Sequence, residues 1–343
     1  MTESDTLEWL LQPSNPSARY LALVYLLGRP ADDPEVTKVR EAISTWGPAK
    51  DILDAQWPDG YWMRPGVGYS PKHKATVWQV IFLAWLGAPL TPAIDSACLH
   101  ILDHSRLSDG RFSEYKTDKG AVLCLNGNLL RAMLQLGFTN AWVDESLEAL
   151  AFMVRRSGYR CRYNASSPKP VHMRDGQPCA WGTIKVLGAL AEVPDRQRST
   201  NMAAAVQQGL DLLLGPDLFS GAYPTPTRAS PLWHRFGFPL GYTSDLLEAL
   251  DVLLHLGFRG DPRLRTSIDF VLSQRDATGR WSLDHTPKNT WSTFGSVGEP
   301  SKWVTLRALR ALKRWRAGSP DKVSCENAGN PSPVLKDVRE DPR

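Results

Sequence analysis

An apolar helical segment that usually ends in Leu-Gly recurs along the chain, and this repeat restricts the fold more than any other feature. Six copies occur, at residues 18–28, 75–87, 125–137, 180–193, 242–257 and 303–315. Each copy is apolar around most of its circumference, which is typical of a helix that is buried on nearly all sides. A closing Gly suits the left-handed residue at which many helices end. Self-similarity of this kind predicts stacked helical hairpins.

More charged, amphipathic segments separate the copies, and we predict that they form an outer layer of helices. They cover residues 33–55, 92–107, 141–157, 200–214 and 261–274. The apolar copies are too hydrophobic to face water, so we expect them to form a closed inner ring. The sequence thus predicts an all-α fold, an (α/α)6 toroid of about six helical hairpins, in one domain over residues 1–317. Residues 318–343 are rich in Pro and charge, and we expect a disordered tail there.

Two Gly-aromatic motifs follow outer segments in phase with the repeat. Their residues are Gln56, Gly60 and Trp62 in the first motif and Gln274, Gly279 and Trp281 in the second. They resemble the QW motifs of squalene-hopene and oxidosqualene cyclases and the repeats of protein prenyltransferase β subunits. Over residues 15–316 the chain therefore resembles the terpenoid cyclase and protein prenyltransferase superfamily. The resemblance implies a scaffold role for both Trp residues, with each Gln capping a neighbouring helix end.

Composition excludes several other classes of protein. The 40 basic and 36 acidic residues are scattered, without the basic stripe that a phosphate backbone would require, so we do not expect nucleic acid as a partner. The sequence contains no run of ~18 apolar residues, so no transmembrane helix is predicted. The acidic residues near its start do not fit a secretory signal. Five cysteines without CxxC spacing predict reduced thiols. We expect a cytoplasmic protein of unknown oligomeric state.

The resemblance implies that a hydrophobic, isoprenoid-like small molecule is bound or transformed in a central aromatic-lined cavity. Parallel inner helices would open with all their N-termini at one mouth of this cavity, which would attract anions. Alignment of the inner helices places polar and aromatic residues there, and a loop before the fifth inner helix adds a histidine. The predicted substrate-binding residues are Trp78, Asn126, Asn128, Trp181, His234, Tyr242 and Trp303.

Candidate catalytic residues are fewer, because the Asp-x-Asp-Asp acid motif of class II terpene cyclases is absent. Asp245 is the one acidic residue at an aligned inner-helix start, where an N-capping role is the favoured interpretation. Cys124 and Cys179 occupy equivalent positions in adjacent repeats, and His172 precedes the second. These three residues form a candidate zinc site or Cys–His catalytic pair, although their spacing departs from that of prenyltransferases.

Two alternative functions remain open from the sequence. One is a non-catalytic binding or scaffold toroid, because a fold does not fix a function. The other is a carbohydrate-active enzyme on an (α/α)6 barrel, which would need two carboxylates ~5–10 Å apart across the cavity. The carboxylates near the predicted mouth are Glu114, Asp175 and Asp245.

Overall fold

The computed structural model describes residues 3–160, 178–215, 217–220, 224–225 and 228–318. Its helices are α1 (Glu3–Leu10), α2 (Pro16–Tyr25), α3 (Pro34–Ala42), α4 (Gly47–Asp54), α5 (Thr76–Trp85), α6 (Pro92–Ser105), α7 (Leu123–Leu136), α8 (Ala141–Ser157), α9 (Ala180–Ala191), α10 (Thr200–Leu214), α11 (Leu246–His255), α12 (Arg265–Ser273) and α13 (Lys302–Arg316). Short 3-10 helices occur at Ile43–Thr45, Asp118–Gly120, Asp195–Gln197 and Pro262–Leu264. Strands β1 (Pro224–Thr225) and β2 (Arg228–Ala229) form one antiparallel pair. The tail predicted at residues 318–343 lies, from residue 319 on, outside the described residues.

Helices α2, α5, α7, α9, α11 and α13 form a closed inner ring. Each of α5, α7, α9 and α11 packs against the next inner helix, and α13 packs back against α2. The Ser17 hydroxyl of α2 donates a hydrogen bond to the carbonyl of Leu86 at the end of α5, which completes the circle. The prediction of an all-α toroid is therefore confirmed.

The closest approach within the ring is between α7 and α9. A Cβ atom at Gly127 would collide with the backbone of Lys185, so the two helices meet backbone to backbone at this point. Glycine is required here for space, because any side chain would push the helices apart.

Helix boundaries differ from the sequence prediction at two places. The first outer segment is split into α3 and α4 at Gly47, which has a φ of +42° and precedes Pro48. The fifth inner helix begins at Leu246, several residues after the predicted start, because the Asp245 carboxylate caps it by accepting from Glu248 N at 2.7 Å. The first predicted residues, 242–245, therefore lie outside the helix, and a segment at 236–242 packs against α7 and α13 through Gly241 and Phe238.

The aromatic residues of the two motifs tie outer helices to the inner ring. Trp62 donates from its indole nitrogen to the Ile52 carbonyl at 2.7 Å, and Trp281 donates to the Val271 carbonyl at the same distance. Both indoles are buried. Gln56 donates to the Ala93 carbonyl in the first turn of α6. The contacts are those of a scaffold.

None of the described helices combines the length and the apolar character that a bilayer-spanning helix needs.

Candidate functional site

A network of buried charged side chains lies between four inner helices. Three carboxylates line up at every third residue along α11, and three arginines of α13 face them. Helices α7 and α9 add one arginine, one lysine and one glutamate. The members of this charge network are Arg131, Lys185, Glu192, Asp245, Glu248, Asp251, Arg307, Arg310 and Arg314. Five cations face four carboxylates, so the network carries one surplus positive charge.

Asp245, the predicted catalytic carboxylate, is held as an anion within this network. Its oxygens accept two hydrogen bonds from the Arg307 guanidinium, at 2.7 and 3.1 Å, and one from Gly237 N at 3.0 Å. Burial would raise the pKa of Asp245, but the charge of Arg307 and these hydrogen bonds lower it below its usual value. Such a group is a poor proton donor. The geometry favours the N-capping interpretation over an acid role.

Lys185 is wholly buried and forms an ion pair with Glu248. Its ammonium group lies 2.6 and 2.8 Å from the two carboxylate oxygens. Burial lowers the pKa of Lys185, and the charge of Glu248 offsets part of this effect. Arg131 approaches Glu248 from α7 at 3.4 Å. The pair joins α9 to α11 across the interior of the ring.

Three arginines lie around the Asp251 carboxylate. The guanidinium of Arg310 donates to it from Nε at 2.8 Å and also from Nη2, and Arg314 donates at 2.7 Å. Arg131 lies 3.8 Å away. Burial alone would raise the pKa of Asp251, but the arginines lower it far below its usual range. This carboxylate is the point at which α7, α11 and α13 are joined.

A central cavity of about 50 Å³ borders the network. Side chains from the C-terminal halves of α2, α5 and α7 line it together with the N-terminal part of α13 and Arg40 of α3. Its aromatic lining consists of Tyr20, Tyr25, Trp85, Phe238 and Trp303, and its charged lining of Arg40, Arg131, Arg307 and Arg310. None of the residues that line it is a carboxylate. The cavity is therefore lined by aromatic rings and by four guanidinium groups, of which those of Arg131, Arg307 and Arg310 are paired with carboxylates of the charge network.

Segment 236–242 packs against the inner helices α7 and α13 beside this cavity. The Phe238 ring stacks on Trp303, with 4.7 Å between centroids, and the Gly241 carbonyl accepts a hydrogen bond from Asn128 of α7 at 2.7 Å. Ligand sites usually enclose ~300–1,000 Å³, so the remaining cavity has room for a few waters or one small charged group. Of the predicted substrate-binding residues, Trp303 lines this cavity, together with Phe238 of the segment.

A second cluster lies at the N-terminal mouth of the ring. We call it the mouth cluster, and it consists of Tyr69, Lys72, Trp78, Glu114, Trp181 and Tyr242. The Tyr242 ring meets Trp78 edge-on at 6.4 Å and Trp181 at 6.3 Å between centroids. Three of the predicted substrate-binding residues are therefore brought together here.

Asn126 and His234 do not join either site. Asn126 accepts from the backbone nitrogen of Phe112 at 2.7 Å and donates to its carbonyl at 2.8 Å, which anchors a loop to α7. His234 Nε2 lies 2.8 Å from the Phe219 carbonyl, and its ring contacts Phe270 on the outer helix α12. Both contacts are structural, and the predicted substrate-binding role of these residues stays a prediction without support from the geometry.

The zinc prediction depends on residues that the structure describes only in part. Cys179 is buried and caps α9, because its Sγ accepts from Gly182 N at 3.4 Å, and Cys124 is half-buried on α7. His172 and Asp175 lie outside the described residues. Among the residues that are described, no three His, Cys, Asp or Glu side chains are arranged to hold a metal ion. Cys124 and Cys179 would therefore need His172 to complete the predicted zinc site.

Zinc binding by Cys124, His172 and Cys179 remains a testable prediction. Protein purified without chelator is expected to contain about one zinc ion per chain, and the Cys124→Ser and Cys179→Ser variants are expected to lose it. Elemental analysis measures the metal content. Cys98→Ser is the matched control, since that thiol is buried elsewhere, on α6. Metal-free wild-type protein would refute the site.

The charge network was not predicted from the sequence. A signal for it was present, because Lys185, Glu248 and Asp251 interrupt helices that are otherwise apolar on every face. Arg307 and Arg310 repeat the same spacing of three on α13. Charges in such positions must be paired, since an isolated buried charge is costly.

Comparison with known proteins assigns no family. No family model and no curated protein matches the chain. The solved structures that align with it include two of variants of the type II terpene cyclase MstE from Scytonema. The complex with merosterolic acid A has 11% sequence identity and a TM-score of 0.32 over 91% of this chain and 99% of that one. The complex with geranylgeranyl dihydroxybenzoate has the same identity and TM-score over 92% and 99%. Similarity at this level does not bear on the activity of the chain.

Proposed function

We propose that the protein binds a small molecule with an anionic group and a hydrophobic, isoprenoid-like body in its central cavity. The observation that carries this proposal is the lining, in which four arginines and five aromatic residues occur without a carboxylate. Arginine is well suited to planar, bidentate recognition of carboxylate and phosphate groups. The aromatic rings supply an apolar surface for the rest of the ligand. The sequence resemblance supports the isoprenoid-like body.

Arg40 has donor capacity that the protein does not use. Its Nε is buried, and within the described residues it has no hydrogen-bond partner. Its Nη2 makes long hydrogen bonds to the carbonyls of Ala88, at 3.3 Å, and Gln135, at 3.5 Å. A buried donor without a partner costs ~1–3 kcal/mol, so an anion beside Arg40 would remove this penalty.

The proposal concerns binding and not acid-initiated cyclisation. Asp245 is held as an anion by Arg307, and the Asp-x-Asp-Asp string is absent. A ligand longer than its charged group would displace the Phe238 ring, which packs between Trp85 and Trp303.

Substitution of Arg40 tests the proposal. Wild-type protein is expected to bind farnesyl diphosphate more tightly than farnesol in isothermal titration calorimetry, because farnesol lacks the anionic group. Arg40→Gln is expected to weaken diphosphate binding about tenfold, as a charge-assisted hydrogen bond contributes ~1.5–3 kcal/mol. Arg155→Gln, on the exposed face of α8, is the control with the same change in charge. Equal binding of diphosphate and alcohol, or an unchanged Arg40→Gln variant, would contradict the proposal.

A further inference from the structure

We propose that the mouth cluster is a binding site for an organic ammonium ion, and that the side chain of Lys72 occupies this site when no ligand is present. The site is separate from the central cavity, and the inference does not depend on the proposed function. It rests on three observations: the position of the Lys72 ammonium group, the fixed aromatic faces around it, and a buried carboxyl group nearby.

The Lys72 ammonium group lies over aromatic faces. Its Nζ is 4.3 Å from the centroid of Tyr242 and 5.8 Å from that of Tyr69. Both distances fall within the ~6 Å over which a ring attracts a cation. Lys72 itself is exposed. Its ammonium group can therefore move into water, and the faces of the two rings would then be open to another cation.

The aromatic faces are held in place by other contacts. The Trp78 indole donates to the Tyr69 carbonyl at 2.7 Å, and the two rings are 5.1 Å apart. Tyr242 is wedged edge-on between Trp78 and Trp181. The preceding Gly241 carbonyl is fixed by Asn128. Removal of Lys72 would leave these rings in their positions, so a ligand would meet a preorganised site.

Glu114 supplies the opposite charge. Its residue is 3% exposed, and its carboxyl group accepts a hydrogen bond from the side chain of Tyr69. Within the described residues no cation comes within ion-pair distance of it, and the charge of Lys72 acts on it only from farther away. Burial raises the pKa of Glu114, and the charge of Lys72 lowers it in part.

An ion that fits between the aromatic rings and Glu114 would neutralise this carboxylate more fully than Lys72 does. Lys72 is tethered to a loop and stops short of ion-pair distance, whereas a free ligand is not restricted in this way. Alkylammonium ions combine a positive charge with an apolar surface, which matches aromatic faces beside a carboxylate. The chemistry of the cluster therefore favours an alkylammonium ligand over a small inorganic cation.

Tetramethylammonium chloride is the probe, because it has the required charge and surface and no other functional group. Lys72→Gln is expected to bind it about tenfold more tightly than wild type in calorimetry, since the competing ammonium group is gone. Lys74→Gln is the matched control: it removes the same charge two residues away, where Lys74 Nζ lies 4.6 Å from the Trp291 ring instead. Its affinity is expected to equal that of wild type.

Two further variants in the Lys72→Gln background locate the ligand. Tyr242→Leu is expected to abolish binding, and Glu114→Gln to weaken it about tenfold, while sodium chloride at equal concentration produces no heat of binding. Circular dichroism confirms that each variant is folded. The proposal is overturned if Lys72→Gln does not bind tetramethylammonium, or if it binds equally well after Tyr242→Leu.

Discussion

Replacement of Asp251 by Asn is expected to lower the free energy of unfolding by about 3–5 kcal/mol, as found when one partner of a buried ion pair is removed. Asp251 receives hydrogen bonds from Arg310 and Arg314, and Arg131 lies close by. The amide keeps the shape but leaves buried guanidinium groups without a counter-charge. Urea-induced unfolding measures the effect.

The control for Asp251→Asn is the same substitution in an exposed ion pair. Asp195 pairs with Arg198, and its side chain is 96% exposed. Asp195→Asn is expected to cost less than ~1 kcal/mol, because water screens exposed pairs. A loss of similar size in both variants would show that the buried carboxylate has no special importance.

The same carboxylate makes stability depend on pH. Burial acts to raise the pKa of Asp251, but the arginines lower it below its value of ~3.9 in the unfolded chain. A lowered pKa contributes stability that is fully present above the unfolded value and is lost as the pH falls toward the folded value. The difference between wild type and Asp251→Asn is therefore expected to shrink below pH ~4.

Replacement of Trp281 by Ala is expected to cost about 3–5 kcal/mol, the usual range for removal of a large buried aromatic side chain. The indole of Trp281 bonds to the Val271 carbonyl on α12, and its backbone nitrogen donates to the Thr305 hydroxyl on α13. Loss of the ring leaves a cavity between an outer and an inner helix. Thermal and urea unfolding measure the effect.

Trp57→Ala is the control, because Trp57 is 55% exposed and belongs to the first motif segment without being its buried residue. It is expected to change stability little. Folded Trp281→Ala protein is expected to keep its affinity for farnesyl diphosphate. Selective loss of binding in a stable Trp281→Ala variant would instead place this residue in the ligand site.

The apolar repeat was sufficient to predict the helices and the ring. A helix that is apolar on every side can be buried only by neighbours on every side, and the six inner helices provide them. The start of the fifth helix was missed because residues 242–245 are polar and aromatic, like the residues at the starts of the other inner helices. In the structure the helix begins only after Asp245, whose carboxylate caps it. Such a cap is visible in the sequence only once the helix start is known.

The interior of the ring was harder to predict. Lys185 and Glu248 are 63 positions apart, and neither residue indicates its partner by spacing. Trp78, Trp181 and Tyr242 each lie near the start of an apolar copy, which is why the sequence places them at one mouth. Their rings contact one another there, and their substrate-binding role stays a prediction. Phe238 gave no such signal, since it lies in a connecting segment that follows no periodic pattern.

Closure of the ring also affects how the protein unfolds. In an open array of repeats the first and last units have one neighbour each, and unfolding starts from those ends. Here α13 packs on α2, and Thr6 of α1 donates to the Gly279 carbonyl near the other end of the chain. Every repeat therefore has two neighbours, and no unit is positioned to fray first. Loss of any one hairpin would expose apolar faces on both sides of the gap, so the toroid is expected to unfold as one cooperative unit.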